Sequence, residues 1–220
     1  MILSDCGERA AILEFDGGMS RLDAEAQAFQ EISAQRIAAD PPGILGELAL
    51  AERRRAHPDL ASALAALGLI GVRAPTWGFG DVVADGETYR PALDTETARS
   101  AFVVPAINGG AVTDLMACTI VKPRRMRSRL GIAHTLGADE ISRAREIGMP
   151  LYVFEDAVQW LYGHTLGVVI LDWKRGAGEI EGVEELICGT AMAPRLYEAT
   201  RRLLPRPTIA CPAERMRHAA

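Results

Sequence analysis

From Leu136 to Pro212 the sequence alternates between two hydrophobic periods, and no other feature constrains the fold as much. ADEISRAREIG reads as a helix, LYVFE as a buried strand, DAVQWLYGH as a helix and GVVIL as a second strand. ELICGT gives a shorter strand, MAPRLYEATRRLL a final helix and PTIACP a last strand. Parallel strands cannot be joined by a tight turn, and helices of about 8 to 14 residues between short apolar runs supply the crossovers that a parallel sheet needs. Right-handed βαβ units follow from the twist of the strands. The C-terminal half is therefore expected to be α/β, with any ligand beyond the carboxyl ends of its strands.

Upstream, the period differs. CGERAAILEF predicts a short helix and Gly17-Gly18 a turn. A second helix begins after Ser20, whose hydroxyl can accept from an orphan N–H of the first turn. Leu22, Phe29, Ile32 and Ile37 fall near one face of it, an apolar stripe that needs a partner. Pro41-Pro42-Gly43 ends this helix, since proline cannot continue the ladder. Helices over Ile44 to Ala56 and Pro58 to Leu67 follow. In GFGDVVADGETYRPAL the dipeptide Asp85-Gly86 predicts a hairpin, because it accepts the positive φ of a tight turn. AFVVPAI and AVTDLMACTI, joined by Asn108-Gly109-Gly110, predict a second, and Pro105 confines its strand to an edge or a bulge. The expected organisation is α/β, or α+β overall: helices over 1–70, then 71–212 with central β-hairpins and the parallel sheet, then a tail over 213–220.

Hydrophobic residues make up 49% of the 220 and charged residues 24%, enough apolar surface for a sizeable core and against wholesale disorder. The net charge of −5 excludes a general nucleic-acid coat while leaving room for a local basic patch. Two of the 24 basic residues, Lys122 and Lys174, are lysine and the rest arginine, a compositional habit rather than a design. Cys6, Cys118, Cys188 and Cys211 are widely spaced, with no CxxC pair or Cys/His cluster, so no zinc site is expected. The acidic residue at position 5 disfavours a signal peptide, so a reducing cytoplasm is the expected compartment. Ala101 to Val121 has the length of a membrane span, but Pro105, Asn108-Gly109-Gly110 and Asp114 interrupt it.

Three predicted strands end in groups that carry chemistry: Glu155 and Asp156, Asp172, and Cys188-Gly189-Thr190. A carboxylate pair beside a third acid can hold magnesium, which takes oxygen ligands in octahedral array. Alternatively Asp156 caps the helix that follows it, and the other two acids are solvated or paired with arginine. The densest charge cluster is Lys122, Arg124, Arg125, Arg127 and Arg129. Such a run either contacts phosphates or is a solvated loop whose charges keep an edge strand from pairing with another chain. Arg53-Arg54-Arg55 and Arg201-Arg202 read as exposed helix faces or complements to a helix dipole. His57, His134, His164 and His218 have no acid or cysteine partner nearby in sequence, and no Walker loop is present. Trp160, Trp173, Tyr152 and Tyr162 read as core or interface.

The stretch PLYVFEDAVQWLYGHTLGVVIL resembles the start of a Toprim domain of phage- and plasmid-type DNA primases, with Glu155 at the position of that family's strand-terminal glutamate. AFVVPAINGGAVTDLMACTIVKPRRMRSRLGIAHTLG is similar to the strand pair, basic segment and Leu-Gly turn that often precede that glutamate. ELICGTAMAPRLYEATRRLL has the spacing of the metal-binding strand and helix, and the likeness covers about Ala101 to Pro212. In the family a later strand ends in an Asp-x-Asp pair that ligates magnesium, where this chain has Cys188, Gly189 and Thr190. The resemblance therefore implies a degenerate Toprim-like domain serving as a noncatalytic DNA-replication accessory of phage or mobile-element type. Lys122, Arg124, Arg125, Arg127 and Arg129 would contact nucleic acid or a replication protein, with no cofactor, no metal site and no membrane. Two alternatives stay open. One is a metal-dependent nucleotidyl-transfer or nuclease enzyme using magnesium at Glu155 with Asp156 or Asp172; the other is a structural protein-interaction module, in which the N-terminal helices dock a partner or form a homodimer.

Overall fold

The computed structural model describes residues 2–38, 43–55, 77–92, 97–120, 124–203 and 205–211. The expected helix over Pro58 to Leu67, together with Lys122, His57 and His218, lies outside them. Helices α1 (Ile2–Phe15) and α2 (Arg21–Ala38) form an antiparallel pair around the Gly17-Gly18 turn. Ser20 caps α2 as expected: its Oγ accepts from the Asp23 N–H at 3.3 Å and donates to the Asp23 carboxylate at 2.6 Å. The expected stripe fails at Leu22, Ile32 is half-buried, and the side chains of Phe29 and Ile37 lie outside the described residues. Ala10, Ala24 and Ala28 are buried, whereas Leu22 and Phe15 are 78% and 82% exposed. The buried contact includes small side chains, with Ala24 and Ala28 one turn apart on one face of α2, and Leu22 and Phe15 are left outside.

Both predicted hairpins form, and they merge into a closed five-stranded barrel of order β1-β2-β5-β4-β3. Strands β1 (Gly78–Asp85) and β2 (Thr88–Pro91) turn at Gly86, with φ 58°. Strands β3 (Arg99–Asn108) and β4 (Ala111–Thr119) turn through Gly109 and Gly110, both at positive φ, the conformation of a two-residue hairpin turn. Pro105 lies beyond Gly78↔Val103, the last pair between β1 and β3, and next to a register shift at Ala106/Ile107. Its missing N–H therefore removes no bond to β1. β5 (Met126–Ser128) runs through the basic cluster and closes the barrel, antiparallel to β4 and parallel to β2 at Thr88↔Ser128. The expected edge strand there is thus an interior one.

Helix α3 (Gly43–Arg55) packs directly on this barrel: Ile44, Leu48 and Ala51 share a core with Val82, Tyr89, Ala101, Val103 and Leu115. Gly78 is required by that contact, since a Cβ there would stand 2.0 Å from the Ala51 backbone.

The second sheet has the order β10-β9-β7-β8-β6. Its strands are β6 (Thr135–Leu136), β7 (Leu151–Phe154), β8 (Val168–Ile170), β9 (Glu185–Cys188) and β10 (Thr208–Ala210). Four are parallel, and β6 is antiparallel to β8. Helices α4 (Ala138–Ile147), α5 (Ala157–Tyr162), α6 (Gly176–Glu179) and α7 (Ala193–Thr200) connect them, so the chain is of the α/β class. One core lies under α4 and α7, with Ile141, Ala144, Leu151, Val153, Leu186 and Leu196. A second joins sheet and barrel, packing Ala157, Val158, Trp160 and Leu161 of α5 against Trp77, Phe79, Phe102 and Met116. Asp139 in the first turn of α4 accepts from the N–H groups of Gly109 at 2.7 Å and Gly110 at 3.2 Å, holding the hairpin tip. Among the described residues, no helix is long and apolar enough to cross a membrane.

Candidate functional site

The chain leaves β7 for β8 on one side and then passes back to β9 on the other, so the topology reverses between β7 and β9. This is the position at which open parallel sheets form a crevice beyond the strand ends. The three strands identified from sequence are adjacent and parallel, and their carboxyl ends bring Glu155-Asp156, Asp172 and Cys188-Gly189-Thr190 to one edge.

The acids at this edge do not combine. Asp156 is buried and points back into the fold, where Oδ1 accepts from the Val158 N–H at 2.8 Å and the Gln159 N–H at 2.9 Å, capping α5. Its Oδ2 pairs with Arg124 Nη1 at 3.0 Å, both side chains being nearly buried. Asp172 folds onto its own turn, its Oδ1 accepting from the Lys174 N–H at 2.8 Å and the Arg175 N–H at 3.3 Å. Glu155 is exposed and accepts from Gln159 Nε2 at 3.2 Å. Among the described residues no three His, Cys, Asp or Glu side chains gather where a metal ion could bind. The acids of the enzyme alternative are thus engaged separately.

The basic cluster is also divided. Arg124 is drawn inward by Asp156, and the guanidinium Nε is buried without a hydrogen-bond partner among the described residues. Arg127 donates to the Gly86 carbonyl. Arg129 Nε meets Glu47 Oε2 at 3.0 Å, and Glu47 Oε1 accepts from the buried Tyr89 hydroxyl at 2.7 Å. Burial, and then the Glu47 charge, push the Tyr89 phenol far above its ordinary range. These arginines therefore anchor the loop to the N-terminus of α5, to the barrel and to α3. Arg125 alone among the described members of the cluster is exposed. Further cations stand on the sheet's carboxyl side: Lys174 is exposed after Asp172, and the exposed Arg195, in the first turn of α7, lies over the Trp173 ring at 4.2 Å. Trp160 is core, its Nε1 donating to the Gly167 carbonyl at 2.9 Å, but Tyr152 and Tyr162 are more exposed than expected.

Sequence reasoning missed three side chains that shape this region. Asp114 is fully buried and accepts five backbone bonds, from Leu115, Arg129, Leu130, Ile132 and Ala133, at 2.7 to 3.1 Å. An acid inside the apolar strand AVTDLMACT is the signal that could have found it, because a buried charge needs compensating donors. Glu47 has no comparable local signal. Glu179 supplies the partner that His134 lacks nearby in sequence: Nδ1 lies 2.9 Å from Glu179 Oε1, and Thr135 Oγ1 donates to Oε2 at 2.7 Å. Cys118 lies near the Arg124–Asp156 pair, and its thiol is pushed up to about 12, chiefly by burial and then by the Asp156 charge. No family model, curated protein or solved structure matches the chain.

Proposed function

We propose that this chain is a noncatalytic nucleic-acid-binding accessory, of the phage or mobile-element replication type that its Toprim-like sequence implies. The observation that carries the reading is the Arg124–Asp156 ion pair, which holds the basic loop against the carboxyl edge of the parallel sheet. Arg125 then stands exposed in the held segment, and Lys174 and Arg195 supply further positive charge on the sheet's carboxyl side. Phosphates are the ligand class that arginine and lysine in that setting attract, with arginine able to bond two oxygens at once. The Trp173–Arg195 stack presents a flat cationic group of the kind that stacks on nucleobases. Against turnover, Asp156 and Asp172 bond their own helix and turn, and β9 ends at Cys188 and leads into Gly189-Thr190. Among the described residues these acids do not assemble into a carboxylate set that could bring metal charge to a transferring phosphoryl group.

The test is fluorescence anisotropy of labelled single- and double-stranded oligonucleotides with the full chain at low salt. Binding indifferent to base sequence and lost as salt rises supports the reading. Absence of binding at low salt, where attraction is least screened, moves the function to a protein-interaction module. That second reading has its own observation: Phe15, Leu22, Leu45 and Leu50 on α1 to α3 are 60% to 82% exposed. Magnesium-dependent cleavage or extension of the oligonucleotide would instead restore the enzyme alternative.

A further inference from the structure

Cys188 ends β9, and Cys211 is the first residue after β10. The two strands are parallel, with Ile209 opposite Leu186 and Ala210 opposite Ile187, so the register places Cys211 opposite Cys188. Side chains alternate along a strand, and partners in register share a face. Leu186 and Cys188 point into the core under α4 and α7, and Ile209 packs against the same core. Cys211, two residues beyond Ile209, therefore falls on the side of the sheet that Cys188 occupies. Neighbouring strands lie about 4.8 Å apart, within the ~4.4–6.8 Å between Cα atoms that a disulfide spans. Both thiols are free, and Cys211 is close enough to act on the Cys188 thiol.

We propose that Cys188 and Cys211 form a redox-active dithiol that closes to a disulfide by exchange with small-molecule disulfides such as oxidised glutathione. The two thiols have unequal access. Cys188 is 2% exposed, and burial, then Cys211, pushes its thiol up to about 11, whereas Cys211 is exposed. Cys211 is therefore the attacking thiol, since exchange requires an accessible thiolate. Its thiol gives up its proton to solvent, its sulfur attacks one sulfur of the small disulfide, the S–S bond breaks, and one small thiolate leaves with the electron pair. Cys188 then gives up its proton to solvent and attacks the Cys211 sulfur, expelling the second small thiolate. Two protein thiols are oxidised to one disulfide, and one small disulfide is reduced to two thiols. The product crosslinks β10, held to β9 by three register pairs, at the edge where Gly189 and Thr190 stand. The resembled primases carry metal-binding acids at this strand end; here the same place would carry a redox-controlled crosslink.

The experiment equilibrates the full chain in buffers of reduced and oxidised glutathione, quenches in acid, and reads intact mass and a non-reducing peptide map. Expected are the loss of two titratable thiols and a peptide joining residues 188 and 211, reversed by dithiothreitol. Cys188→Ser should trap a stable glutathione adduct on Cys211, and Cys211→Ser should leave Cys188 unmodified. A glutathione adduct that persists on Cys211 in the native chain overturns the proposal. So does a crosslink from Cys211 to Cys6, Cys118 or a second chain, or modification of Cys188 in Cys211→Ser at the rate seen in the native chain. Because the native chain's own peptide map decides the pairing, a variant that fails to fold leaves the test intact.

Discussion

Replacing Asp114 probes the buried group on which the 129–133 loop depends. Its Oδ1 accepts from Leu115, Arg129 and Leu130, and its Oδ2 from Ile132 and Ala133. In Asp114→Ala the N–H groups of Leu115, Leu130 and Ile132 lose their acceptor in buried surroundings, at about 1–3 kcal/mol each before the loop relaxes. Relaxation lets water reach part of the segment, which brings the expected loss to ~3–5 kcal/mol, a large share of the ~5–15 kcal/mol that holds a typical domain folded. Asp114→Asn keeps one oxygen. Placed at the Oδ1 site it retains three bonds and sets an NH2 against the Ile132 and Ala133 donors, so its loss should be about half that of alanine. The assay is urea denaturation followed by tryptophan fluorescence, with Trp77 buried among Phe79 and Phe102 reporting on the barrel. An alanine variant within ~1 kcal/mol of the native chain, or an asparagine variant equal to it, would refute the reasoning.

Asp156→Ala should cost more than the ~1 kcal/mol of a lost cap, because it also strands the Arg124 guanidinium, and a double-mutant cycle with Arg124→Met in urea melts should show that coupling. A coupling of zero would mean that the pair contributes nothing beyond the cap. Magnesium and manganese should bind no better than weakly in titration calorimetry, and tight stoichiometric binding abolished by Glu155→Gln would revive the enzyme reading. Cys118, its thiol pushed up to about 12 chiefly by burial, holds almost no thiolate at neutral pH. Iodoacetamide at pH 8 should therefore modify Cys211 long before Cys118, and equal rates would show the barrel core to be open.

The parts of the fold that were legible in the sequence are those written in short-range chemistry. Ser20 before α2, Asp156 before α5, the Asp85-Gly86 and Gly109-Gly110 turns and the strand–helix alternation after Leu136 each act within a few residues. Barrel closure was not legible, because it depends on Thr88 meeting Ser128, a pairing that neither segment's pattern encodes. Strand β6 has two residues and α6 reads GAGE, so neither carries a period. The fate of the arginines was hidden for the same reason. Glu47 lies 82 residues from Arg129 and Asp156 lies 32 from Arg124, and charge density in a sequence says nothing about partners at that distance. Leu22 stands outside although its hydrophobicity points inward, because the alanines Ala24 and Ala28 allow the two helices to approach more closely than leucines do.

The choice of substitution follows from burial: a glutamate at Arg124 would set a second carboxylate against the nearly buried Asp156, whereas Arg125 and Lys174 are exposed. The most direct measurement is the slope of log affinity against log salt for a double-stranded oligonucleotide, in the native chain and in Arg125→Glu with Lys174→Glu. Arg201→Glu serves as a control of equal sign at the far end of α7. Each phosphate contact contributes about 0.9 to that slope. The account predicts a slope reduced by roughly one for each of the two residues that contacts a phosphate, at unchanged melting temperature, with Arg201→Glu close to native. A native chain whose affinity does not depend on salt, or a double variant with the native slope, would contradict it.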